Sequence, residues 1–148
     1  MDLVDVLRSV ELFEGLGAED LQAVAALCQE RRYGLNEVIA TQGDPGEELF
    51  VVCEGFVEVV LTRPGADPAP RAMVNLGRGQ IFGEMALVDS GPRSATVRSV
   101  TEGTVLQAIS REAFSRLCES SHYLGYVVMR NLASDLSFKL RHRNLAGR

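Results

Sequence analysis

The chain has 148 residues, 46% of them hydrophobic and 24% charged, with a formal net charge of −5. That length suffices for one domain with a real core, and that composition is ordinary for a soluble globular protein. The acidic balance argues against nucleic acid as the main partner, because phosphate backbones call for a basic face, and no apolar run reaches the length of a membrane span.

The opening "MDLVDVLRSV" carries Asp2 and Asp5 where a secretory signal would carry Lys or Arg, so the expected location is the cytoplasm. Cys28, Cys53 and Cys118 are far apart and lack CxxC pairing, which predicts reduced, buried thiols rather than a disulfide framework.

From Leu3 to Arg32 the pattern predicts two helical stretches broken at Gly15 and Gly17. In the second, Leu21, Val24, Ala25 and Leu27 recur at helical spacing, and Glu19 and Asp20 favour its start. Phe13 and Leu16 are expected to pin the break onto the core. Residues 1–32 thus read as an N-terminal helical segment.

Strand patterns begin at Tyr33. "EVIATQG", "ELFVVCEG", "FVEVVLT" and "RAMVNLG" are short, β-branched and separated by turn residues. "GDPGEE" predicts a tight turn in which Gly43 and Gly46 can take positive φ without steric cost, and Gly55 reads as a hairpin turn. "RPGADPAP" reads as an exposed loop. Two further strands, "SATVRSV" and "GTVLQAIS", follow. So many short strands predict a mainly β domain, a jelly-roll-like β-roll (a double-stranded β-helix) over residues 33–110 with flanking helices.

Residues 111–148 return to helix within the same domain. Ser110 is the expected N-cap of the first closing helix, with Glu112 and Phe114 in its first turn. In the last helix, from about Ser121, Leu124, Val128, Leu132, Leu136 and Leu140 recur every four residues, with Val127 widening the stripe. Such a stripe can cover the roll or pair with its copy in a homodimer.

The chemistry concentrates in "FGEMALVDSGPRSATV", residues 82–97. "GEMAL" follows a strand and can form one helical turn, whose first N–H groups would point toward an anion. Gly83 admits a ligand close to the backbone. Arg93 lies ten residues on, beyond a "DSGP" reversal that can bring it back beside that turn, and its fork suits the paired oxygens of a phosphate. Glu84 suits a neighbouring hydroxyl. The plain alternative is a surface Glu84–Arg93 salt bridge flanking a turn; the small residues Ala86, Ser94 and Ala95 favour a pocket.

This stretch resembles the phosphate-binding cassette of cyclic nucleotide-binding domains, which catabolite activator protein, protein kinase A regulatory subunits and cyclic nucleotide-gated channels share. "LFEGLGAEDLQAVA", "GDPGEELFVVCEGFVEVV" and "LGRGQIFGEM" follow the family in order, so the resemblance covers residues 8 to 142. It implies that Glu84 binds the ribose 2′-hydroxyl and Arg93 the cyclic phosphate. Gly83, Met85, Ala86 and Ala95 would offer backbone groups, and Ser94 a hydroxyl to a phosphate oxygen or the base. Val74 is the candidate apolar wall for the base. The last helix would act as a lid that offers Asp135 or Lys139 to the purine. Ser94 leaves cAMP and cGMP both open, with cAMP favoured by family frequency.

Rival functions find less support. His122 and His142 sit in no metal-spaced cluster, and no GxSxG, P-loop or paired-carboxylate motif is present, so no enzyme and no metal or other cofactor are expected. Activators of this family carry a helix-turn-helix after the last helix. Few residues follow Arg141, so specific DNA binding is not expected. A degenerate domain serving only as a protein interaction module is the remaining alternative, and the effector partner is left open.

Overall fold

Leu49, Val51 and Phe50, Val52 alternate along one strand, yet all four are buried. A strand apolar on both faces must be covered on both, and the architecture supplies the two covers. The computed structural model of the chain describes residues 2–61 and 72–145. Its elements are α1 (Leu3–Arg8), a 3-10 turn at Glu11–Phe13, α2 (Ala18–Ala25), β1 (Gln29–Tyr33), β2 (Val38–Ala40), β3 (Glu48–Glu54) and β4 (Val57–Leu61). β5 (Ala72–Leu76), β6 (Ile81–Phe82), a second 3-10 turn at Glu84–Leu87, β7 (Thr96–Ser99), β8 (Thr104–Ser110), α3 (Arg111–Ser120) and α4 (His122–Leu145) follow.

The strands form two antiparallel sheets, ordered β1-β8-β3-β6 and β2-β7-β4-β5. Phe50, Val52, Leu106 and Ala108 meet Ala40, Val57 and Val97 of the other sheet in one core. Leu49, Val51 and Ile109 face a second core built with Leu7, Phe13, Leu21, Phe114, Leu124 and Val128 from the helices. This is the β-roll with flanking helices that the strand pattern led us to expect, and Phe13 and Leu16 are indeed buried at the helical break. The "RPGADPAP" loop lies outside the described residues.

Strand structure starts earlier than the pattern suggests. Gln29–Tyr33 is paired residue for residue with β8, from Gln29 opposite Ala108 to Tyr33 opposite Thr104, inside the stretch read as helical. "QERR" looks like the polar end of a helix because it has no apolar alternation. As an edge strand it needs none. Of the turn glycines, Gly43 and Gly55 use positive φ (93° and 81°), and Gly46 does not.

The Ser110 side chain accepts from the Ala113 N–H at 3.1 Å, the expected N-cap. α4 has 24 residues, about 36 Å at 1.5 Å per residue, and its stripe divides in two. Leu124, Val128 and Leu132 are buried, whereas Leu140 is 58% exposed. Asn131 marks the division, donating to the carbonyls of Leu12 (2.9 Å) and Glu14 (2.8 Å). Among the described residues no helix is long and apolar enough to cross a membrane.

Candidate nucleotide-binding site

Two turns close on each other to build the site. The Arg93 N–H donates to the Asp44 carbonyl (2.6 Å), the Gly43 N–H to the Arg93 carbonyl (2.9 Å), and Pro45 bridges Pro92. The reversal after Asp89 therefore lays Arg93 against the "GDPGEE" turn, and its side chain runs back beside Gly83. A Cβ on either Gly46 or Gly83 would collide with the Arg93 side chain. Gly46 is required for space rather than for backbone angle. Gly83 is required for both, with φ 79° at the entry to the Glu84–Leu87 turn.

The Arg93 guanidinium carbon lies 5.6 Å from the centre of the Phe50 ring, which itself stacks on Phe82 at 4.9 Å. An aromatic face attracts a cation without using any of its N–H donors. Among the described residues no carboxylate lies within ion-pairing distance of Arg93. Burial pulls its pKa below the usual guanidinium value, while the nearby Glu48 and Glu47 charges work in the other direction. Arg93 is thus a half-buried cation with its donor fork uncommitted, the arrangement that suits an arriving anion.

Glu84 does not pair with Arg93, so the surface salt-bridge alternative fails. Its carboxylate, only 15% exposed, takes Lys139 of α4 instead: Oε2 lies 2.9 Å from Nζ. The same ammonium lies 3.0 Å from Asp135 Oδ2. Burial disfavours the Lys139 charge, but the bonds to Glu84 and Asp135 outweigh it and raise its pKa above the ordinary lysine value. Glu84, Asp135, Lys139, Phe138 and Leu76 share the wall of a cavity of about 760 Å³ between α4, the β5–β6 turn and the N-terminal segment.

The remaining residues singled out in the sequence are placed as follows. The Ala86 N–H is taken by the Gly83 carbonyl (3.0 Å), and the Met85 carbonyl accepts from Val88 and Asp89. Both backbones thus already serve the turn itself. Met85 is half exposed, Ser94 exposed and Ala95 partly buried. Neither Ser94 nor Ala95 lines that cavity. Val74 sits on β5 opposite Val59 and is 53% exposed, off the cavity wall, where Leu76 stands instead. Sequence reading missed Phe50 and Gly46. The apolar run of β3 marks Phe50 as a core residue, but nothing local says that a guanidinium lies over it.

Residues 30–121 match the model of the cyclic nucleotide-binding domain. The chain is 35% identical to the cyclic AMP receptor protein of Thermus thermophilus over 94% of its own length and 61% of that protein's. It superposes on the crystal structure of the Thermus thermophilus catabolite activator protein with a TM-score of 0.79, covering 92% of this chain and 61% of that one at 35% identity. The regulatory domain of Toxoplasma gondii PKA, solved with cAMP, aligns at 32% identity with a TM-score of 0.68, over 77% of this chain and 42% of that one. The chain therefore spans less than two thirds of the length of each of these relatives. On the motif, the two-sheet roll and these matches together, the chain belongs to the cyclic nucleotide-binding domain family.

Proposed function

We propose that this chain is a regulatory sensor of a cyclic nucleotide, cAMP in preference to cGMP, acting in the cytoplasm without catalysis. The observation that carries the reading is the state of Arg93: held between Gly46 and Gly83, backed by Phe50, and paired with no carboxylate among the described residues. The cyclic phosphate would occupy its fork. Glu84 spends one carboxylate oxygen on Lys139 and keeps Oε1 for the ribose 2′-hydroxyl. Gly83, Met85, Ala86, Ser94 and Ala95 would line the phosphate side, and Leu76, with Val74 beside it, the base side.

The signal would pass to α4. Its first half is locked by Leu124, Val128, Leu132 and Asn131, whereas its second half reaches the roll through Lys139 at Glu84. A ligand shifts such an equilibrium only by contacting the two positions of the helix differently, so Asp135 and Lys139 would transmit and Arg93 would supply affinity. Exposed Tyr123, Tyr126, Phe138 and Leu140 on α4 support a homodimer along this helix. The formal charge of −5 supports a protein rather than DNA as the effector of this domain.

Calorimetric titration with cAMP and cGMP, on wild type and Arg93→Ala, tests the reading. One charge-assisted contact is worth roughly 1.5–3 kcal/mol, so Arg93→Ala should bind about tenfold to two-hundredfold more weakly. Equal affinity in the two proteins would overturn it. The Lys139 contact with Glu84 also suits an interaction-only domain whose ribose partner is already occupied. Absence of heat and of any thermal shift with either nucleotide would favour that second reading.

A further inference from the structure

The carboxylate that acts most on Arg93, Glu48 of β3, is itself held by another arginine. Side chains alternate along β3, which sets Glu48 on the same face as Phe50, the residue under the Arg93 guanidinium. Glu48 is accordingly the carboxylate that acts most on the Arg93 charge, ahead of Glu47. It does not bind Arg93. Both of its oxygens are held by Arg31 of β1, with Nη1 to Oε1 at 3.0 Å and Nη2 to Oε2 at 2.6 Å. Gln29 Oε1 takes a further contact from Arg31 Nη2 at 3.4 Å.

The fork-to-fork geometry matters because it occupies the carboxylate symmetrically and fixes its plane. A lysine in place of Arg31 would bind one oxygen and leave the other to turn. With the pair intact, both Glu48 oxygens are committed to Arg31, and the fork of Arg93 would stay available for an anion. Without it, Glu48 would become an intramolecular competitor for the phosphate. A pair this close to the surface, about one third exposed on Arg31 and one quarter on Glu48, adds little stability. Its effect on binding would be larger than its effect on folding.

We propose that Arg31 is a positioning residue of the anion site, which sequesters Glu48 so that Arg93 is free for the ligand. The inference rests on the reading of Arg93 as the phosphate-binding group.

The test is a set of variants, Arg31→Gln, Glu48→Gln and the double variant, titrated with cAMP. Arg31→Gln should weaken binding by about 3- to 30-fold, since a charged hydrogen bond must now be broken first. Glu48→Gln should bind at least as well as wild type, and the double variant should recover to within about twofold of Glu48→Gln. A purely architectural role of Arg31 predicts instead that the double variant stays as weak as Arg31→Gln, and that result overturns the proposal. So does an Arg31→Gln protein that binds like wild type. The Arg93 Nε–H resonance in ligand-free protein supplies a readout that needs no nucleotide. It should move in Arg31→Gln, as Glu48 swings over, and return in the double variant. If wild type binds no cyclic nucleotide, the sensor reading fails, and this resonance alone decides whether Arg31 shields Arg93; an unmoved signal would sink the inference.

Discussion

Lys139 lies 55 residues from Glu84 in sequence, yet its ammonium is 2.9 Å from the Glu84 carboxylate. The contact ties the far half of α4 to the turn that would face the ribose. Removing it with Lys139→Ala should raise hydrogen exchange beyond Asn131 and leave the buried first half unchanged. An exposed pair is worth up to about 1 kcal/mol, so cAMP should dissociate up to about fivefold faster. Unaltered exchange in residues 134–142 would remove Lys139 from the lid.

Glu84 should discriminate the sugar. Glu84→Ala should weaken cAMP binding by about tenfold to two-hundredfold through loss of a charge-assisted bond, and should leave 2′-deoxy-cAMP nearly unaffected. Competition titrations with the two nucleotides measure the difference. Equal losses would mean that Glu84 acts through the fold alone.

The two glycines around Arg93 separate space from backbone angle. Gly46→Ala carries no positive φ penalty, and the three atoms nearest its Cβ would all belong to the flexible Arg93 side chain. It should lower affinity about tenfold or more, with a melting temperature within a few degrees of wild type. Gly83→Ala adds left-handed strain of about 1 kcal/mol and a Cβ 2.9 Å from the Glu48 carbonyl, so both affinity and stability should fall. Gly103→Ala, with nothing within 4 Å, is the control and should change neither. Scanning calorimetry and titration together sort the three.

Burial, with the neighbouring Cys53 adding to it, pushes the Cys28 thiol up to about 12 from its ordinary 9.0. Cys28 should therefore resist iodoacetamide at pH 8. Because the folded state holds this proton more tightly, its contribution to stability is full below about pH 9 and is lost as the pH climbs toward 12. Urea midpoints across that window should fall less steeply for Cys28→Ala than for wild type. Parallel slopes would show that Cys28 plays no part in the alkaline loss.

Local chemistry was legible without coordinates wherever near neighbours decide it. The short β-branched run "ELFVVCEG", the helical recurrence from Leu124 to Leu132 and the Ser110 cap all follow from residue type, period and capping. Glu84 and Arg93 stood out in the same way as the charged residues of one short turn-rich stretch.

Partner choice was not. "QERR" became a strand only because β8 offered it an edge. Arg93 lies over Phe50 rather than against Glu84, Glu84 holds Lys139, and Glu48 holds Arg31, contacts that span 43, 55 and 17 residues. The chain by itself determined which charges the site contains. Only the crossing of the two sheets and the return of α4 decided which charges meet, because ion pairing depends on distances of a few ångströms that no sequence spacing encodes.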